Sequence, residues 1–169
     1  MKTALLTLLC GGLSLTAAHA QLADETWNKN YPPAEYKSII DAESRYLAHV
    51  IQKRMTPDYY RFDKYRLQGR YTGRRRAVSA ASMAVMRDVC AVYSANLPKP
   101  DFISNLVKNE YQFVLNGVEV WLPIQEPLEA SLQEEVPVGA TAYLYCVLFN
   151  SHHENEPVSN VFLISEFSR

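Results

Sequence analysis

The pattern of apolar and polar positions predicts a long amphipathic helix in the first third of the chain. Its apolar residues recur three and four positions apart, and they are Tyr36, Ile39, Ile40, Leu47, Val50 and Ile51. A Pro32-Pro33 pair precedes them, and proline suits the first turn of a helix because its missing N–H costs nothing there. The spacing predicts a helix from this pair to about Met55.

Two different patterns follow this helix. Apolar and polar residues alternate from Tyr65 to Tyr71, which predicts a strand with one positively charged face. A short helix across Pro57 to Lys64 is the alternative for this region. Gly73 breaks the alternation, and an alanine-rich run from about Arg75 to Leu97 predicts a second helix.

An Asn116-Gly117 pair between two alternating runs predicts a hairpin, because this dipeptide accepts the positive φ angles of a two-residue turn. The apolar face of the hairpin consists of Tyr111, Phe113, Leu115, Val118, Val120 and Leu122. The other face carries Gln112, Val114, Glu119 and Trp121. Trp121 is therefore either an exposed contact residue or covered by the helix that follows.

The last third of the chain predicts a helix and two strands. Pro127 begins an amphipathic helix that ends near Pro137. The segment from Thr141 to Phe149 is apolar on both faces, which is typical of a buried central strand. A polar loop from Ser151 to Ser159 precedes the last strand, Asn160 to Phe167.

These elements predict an α+β fold. Two N-terminal helices pack on a small, mainly antiparallel sheet, and the C-terminal part has strand-strand-helix-strand-strand order. No repeat or linker divides the chain, so residues 21–169 are expected to form one globular domain.

The first twenty residues have the layout of a cleaved secretory signal peptide. Lys2 is followed by an uncharged run from Ala4 to Ala17, and Ala18-His19-Ala20 offers small residues for cleavage. The run is too short to span a bilayer. We therefore expect a periplasmic or extracellular protein without a transmembrane segment.

The charge balance gives no reason to expect nucleic acid as a partner. Without Lys2 the chain carries 16 Lys and Arg residues against 18 Asp and Glu residues. A formal charge of −2 lacks the basic excess of nucleic-acid-binding domains.

Two cysteines, Cys90 and Cys146, remain after the predicted cleavage. Export favours disulfide formation, and both residues fall on apolar faces, so we predict a disulfide between them. Two buried free thiols are the alternative.

An arginine run, Arg74 to Arg76, stands at the start of the predicted second helix. Together with Arg66 and Arg70 it could receive a carboxylate or phosphate group from a ligand or partner. The alternative is a solvated basic turn, neutralised by a charged group such as the acidic helix from Glu126 to Glu135.

Catalytic and metal-binding signals are weak. The loop around His152 and His153 has imidazole and carboxylate groups, but adjacent residues point in opposite directions, so a solvated loop is the preferred interpretation. No combination of nucleophile, base and orienting group stands out. We expect neither a metal nor another cofactor.

Two functions remain open. The first is an exported protein-binding domain that acts through Arg74, Arg75, Arg76 and Trp121 as an inhibitor, an immunity protein or an envelope accessory factor. The second is a small-ligand carrier or enzyme with a pocket between helices and sheet, near Glu43. A buried, unpaired Glu43 would favour the second, and an arginine partner for Glu43 would disfavour it.

Overall fold

The computed structural model describes residues 25–52, 59–93, 101–153 and 158–169. The predicted signal peptide, residues 1–20, lies outside the described residues. In chain order the elements are α1 (residues 25–30), α2 (Tyr36–Gln52), β1 (Tyr59–Ala77), α3 (Ala80–Tyr93), α4 (Asp101–Leu106), β2 (Val107–Leu115), β3 (Val118–Gln125), a 3₁₀ turn (Glu126–Leu128), α5 (Glu129–Glu135), β4 (Thr141–His152) and β5 (Ser159–Ser168).

The described strands form a closed barrel in the order β1-β2-β3-β5-β4. Neighbouring strands are antiparallel except β3 and β5, which are parallel. This is a five-stranded Greek-key barrel of the OB type, an architecture that serves many unrelated functions. The α+β class is confirmed. The predicted small, mainly antiparallel sheet with two N-terminal helices packed on it is matched only in part, because the sheet is mixed and closes into a barrel.

Strand β1 is much longer than the predicted strand. It pairs with β4 from Tyr59 to Arg70 and with β2 from Arg70 to Ala77. Gly73 has a φ of 81° at a register shift, so it bends the strand instead of ending it. The predicted helix start at Arg75 is therefore wrong, and the helical alternative for Pro57 to Lys64 is wrong from Tyr59 onward.

The predictions for the C-terminal part are largely confirmed. Asn116 and Gly117 have φ angles of 48° and 82°, as the predicted hairpin turn requires. Pro127 lies in the 3₁₀ turn that leads into α5, and Gly139 follows this helix with a φ of 86°. Strand β4 extends to His152 because the first part of the predicted polar loop continues the pairing with β1 and β5.

Two apolar clusters stabilise the fold. The interior of the barrel is filled by inward side chains such as Leu67, Phe113 and Leu144. A second layer lies on the outer face of β4 and β5, where Met86 and Val89 of α3 pack, and it is completed by Trp27, Tyr31 and Tyr145. The N-terminal segment is therefore docked on the barrel, and the ring centroids of Trp27 and Tyr31 are 5.1 Å apart.

We predict that Gly73→Ala lowers the free energy of unfolding by about 2–3 kcal/mol, since it combines left-handed strain with overpacking. A Cβ at Gly73 would lie 2.6 Å from Cγ2 of Val138. Gly117→Ala is the matched control, because its φ is similar and nothing lies within 4 Å of the added atom. Gly117→Ala should lower the free energy of unfolding by only about 1 kcal/mol. Urea unfolding of both variants measures the difference, and equal losses would contradict a close contact at Gly73.

Candidate functional site

The outer face of β1, β2 and β3 brings together three residues that the sequence singles out. Arg74 and Arg76 lie two positions apart on β1, and Trp121 lies on β3. The guanidinium carbon of Arg76 is 4.1 Å from the centre of the Trp121 ring, and that of Arg74 is 5.7 Å away. Trp121 is half-buried beneath these two cations, so it is neither fully exposed nor fully covered. We call these three residues the arginine–tryptophan cluster.

Buried polar side chains hold the arginine–tryptophan cluster in place. The carboxylate of Glu110 is fully buried and accepts a hydrogen bond of 2.5 Å from Nε of Arg76. Oε1 of Gln112 accepts a hydrogen bond of 3.3 Å from Nη1 of Arg74. Nε2 of Gln112 in turn donates to Glu119 at 3.0 Å. Both guanidinium groups are therefore oriented before any partner arrives, which lowers the entropy cost of binding.

Arg75 lies on the other side of β1, because side chains alternate along a strand. Its Nη1 is 3.9 Å from Oε2 of Glu129, and the hydroxyl of Tyr111 donates to the same Oε2 at 3.0 Å. The hydrogen bond with Tyr111 raises the pKa of Arg75, and burial raises the pKa of Tyr111. The acidic helix does supply a charged partner for the arginine run, but for Arg75 alone among the three.

An open groove of about 890 Å³ adjoins the arginine–tryptophan cluster along β1. Its floor is formed by outward side chains of β1, and the basic residues among them are Arg66 and Arg70. Thr141 of β4 and Val114 of β2 flank Arg70 in register. Tyr143, which is 43% exposed, lies beneath the Arg66 guanidinium at 5.7 Å. The predicted basic strand face is therefore present and open to solvent, and we call this region the β1 groove.

Glu43 is buried and paired, which disfavours the predicted pocket. It is only 1% exposed, and its Oε1 lies 2.5 Å from Nη1 of Arg61 on β1. Burial alone would lower the pKa of Arg61, but its hydrogen bond to Asp63 and the charge of Glu43 outweigh that effect and raise the pKa. The pair joins α2 to the barrel, so a structural role accounts for this carboxylate.

The predicted disulfide between Cys90 and Cys146 is absent, and both residues are free thiols. Cys146 points into the barrel interior, whereas Cys90 packs in the layer between α3 and the outer face of the sheet. A bond between them would have to cross the sheet, which disulfide geometry does not allow. Burial raises the pKa of both thiols.

The two histidines of the β4 end lie in different environments. His152 is buried, while Nε2 of His153 is 3.7 Å from Oδ2 of Asp88 on α3. Residues 154–157 of the same loop lie outside the described part of the chain. Within that part, no group of three His, Cys, Asp or Glu side chains is placed to hold a metal ion.

Across the ranges that the structure covers, the helices are too short or too polar to cross a membrane. Comparison of the chain with protein-family models, with curated proteins and with solved structures finds no match.

We predict that Glu43→Ala lowers the free energy of unfolding by about 3 kcal/mol, because it removes one partner of a buried ion pair. Glu35→Ala is the matched control, since Glu35 is exposed just before the same helix and should change stability little. Chemical unfolding measures both. An increase in stability on removing Glu43 would contradict a structural role and would be typical of a carboxylate kept for function.

We further predict two reactive thiols per chain of residues 21–169 under denaturing, non-reducing conditions. In the native state at neutral pH both thiols should label slowly, because a raised pKa keeps the thiolate fraction low. Labelling should be slower at Cys146, which is fully buried, and should accelerate at Cys90 as the pH rises. Titration with a chromogenic disulfide measures this, and an absence of thiols after denaturation would contradict the free pair.

Proposed function

We propose that the protein is an exported, non-enzymatic protein-binding domain that acts through its surface as an inhibitor, an immunity protein or an envelope accessory factor. The observation that carries the proposal is the arginine–tryptophan cluster, held on an accessible sheet face by the buried side chains of Glu110 and Gln112. Tryptophan and arginine are the residues that most often dominate the energy of protein interfaces. Export follows from the predicted signal peptide.

The chemistry of this face favours a protein over a nucleic acid. In OB-type barrels, the face of strands 2 and 3 often binds oligonucleotides or oligosaccharides, so its position suits a ligand surface. Arg76 covers one side of the Trp121 ring, which removes a stacking surface that bases would need. The carboxylate of Glu119 is exposed and accepts a hydrogen bond from Gln112, so it adds a negative charge beside the cluster that would repel a phosphate backbone. A protein surface with mixed polarity is the better complement.

The alternative of a small-ligand carrier or enzyme has less support. Its candidate residue, Glu43, is paired with Arg61 and stabilises the contact between α2 and the barrel. The large open volume lies instead on the outer face of β1.

We predict that Arg74→Gln combined with Trp121→Ala weakens binding to the cognate partner by at least about 30-fold, since truncating interface hot spots costs 2 kcal/mol or more. The full chain, expressed with a C-terminal tag in its native host, is purified after processing. The mass of the N-terminal peptide of the purified protein shows whether the chain is cleaved before Gln21. Proteins that co-purify are identified by mass spectrometry, produced separately and titrated against the wild type and the variant.

The control is Arg87→Gln combined with Val92→Ala on α3, where both residues are exposed and lie away from the cluster. This variant should bind like the wild type, and thermal unfolding should show that both variants are folded. Equal affinity of the cluster variant and the control would show that the arginine–tryptophan cluster is not the interface.

A further inference from the structure

The arginines of β1 differ in whether the chain itself neutralises them. Arg61, Arg75 and Arg76 each lie within 4.0 Å of a carboxylate oxygen, and Arg74 is hydrogen-bonded to Gln112. Among the described residues, Arg66 and Arg70 have no carboxylate partner for their guanidinium groups. Unpaired cations cost little in solvent, but two of them in one groove create a concentrated positive potential.

The walls of the β1 groove add polar groups around these two cations. Gln68 lies between them on the same face of β1, opposite Tyr143 on β4. Asn116 of the hairpin turn forms one wall, where its side-chain oxygen also accepts a hydrogen bond from the backbone of Tyr36 at 3.1 Å. Among the residues that line the groove, Glu35 carries a negative charge, and it is exposed near the start of α2. The groove is thus positive overall and rich in hydrogen-bond donors.

The β1 groove and the arginine–tryptophan cluster are adjacent on one face. Thr72 stands between Arg70 and Arg74 on β1, and its hydroxyl donates to the carbonyl of Gln112 at 3.0 Å. At about 3.3 Å per residue, the side chains from Arg66 to Arg76 span up to about 33 Å before the bend at Gly73 shortens the path. That length corresponds to about ten residues of an extended peptide.

We propose that the β1 groove binds an extended, acidic segment of the partner protein, whose carboxylates pair with Arg66 and Arg70. This rests on the proposed function, because the partner is the one that the arginine–tryptophan cluster contacts. Charge complementarity selects the occupant: carboxylates accept paired hydrogen bonds from a guanidinium group. Same-face side chains of an extended peptide also repeat at the spacing of Arg66, Gln68 and Arg70.

The test uses fluorescein-labelled hexaglutamate and the processed full chain, with binding measured by fluorescence anisotropy at low and at physiological salt. Arg66→Gln combined with Arg70→Gln should weaken binding about tenfold or more and reduce its salt dependence, because two charge-assisted contacts are lost. Arg45→Gln combined with Arg87→Gln removes the same charge from exposed helix positions and is the matched control. In amide NMR spectra, the peptide should shift the signals of Gln68, Thr141 and Tyr143.

Equal weakening by both double variants would overturn the proposal, since it would show non-specific attraction. Tighter binding of hexagalacturonate than hexaglutamate through Arg66 and Arg70 would overturn it in favour of an acidic glycan. With the cognate partner, the Arg74 and Trp121 substitutions could lower the affinity while the Arg66 and Arg70 substitutions do not. This outcome would refute binding of an acidic segment in the β1 groove and leave the proposed function intact. If neither pair of substitutions changes the affinity for the cognate partner, both the acidic segment and the proposed function are refuted.

Discussion

A single strand, β1, forms hydrogen bonds with β4 along its first half and with β2 along its second half, and closure of the barrel depends on this double pairing. The strand must bend sharply to reach both neighbours. Gly73 provides the bend by adopting a positive φ that other residues rarely accept, and Gly69 provides room where a Cβ would come within 2.5 Å of Leu115 in the interior. Both apolar clusters form on the framework that this strand closes.

The alternation of side chains along β1 also distributes the arginines. Arg66, Arg70, Arg74 and Arg76 point outward and form a basic face, while Arg75 points to the side of α5 and Arg61 to the carboxylate of α2. One strand therefore uses the same residue type for two purposes. Arg61 and Arg75 pair with carboxylates of α2 and α5 and tie these helices to the barrel. The outward arginines give the surface its charge, and one of them, Arg76, also neutralises the buried Glu110.

Much of the fold could be predicted from local pattern, because the hairpin, α2, α5 and β5 each carry their own periodicity or turn residues. The alternation within the hairpin placed Trp121 beside Gln112 and Glu119, so part of the site was predictable too. The extent of β1 was not, because a glycine that bends a strand and one that ends it look alike in sequence. That error put the arginine run on a helix and hid its contact with Trp121.

The disulfide prediction failed for a related reason. Periodicity places a residue on an apolar face, but it does not say which of two apolar layers that face joins. Cys146 and Cys90 belong to different layers, separated by the sheet itself. Likewise, the burial of Glu110 could not be predicted from its position next to an apolar run. It depends on a contact with Arg76 between strands that are far apart in the chain.

Closure of the barrel restricts how this molecule can recognise anything. The basic face lies on β1, which has β4 and β2 as its neighbours, so along this strand the backbone is engaged in internal pairing and another chain cannot simply extend the sheet there. The seam between β3 and β5 is sparser, with Ile124 and Ile164 as its pair in register. Recognition along β1 therefore falls to side chains that project from the outer face. Substitutions of outward residues that pair with no buried carboxylate, such as Arg66, Arg70 and Arg74, can alter which molecule is bound while the framework beneath them stays unchanged. Arg76 differs from them, because it pairs with the buried Glu110 and so contributes to stability as well.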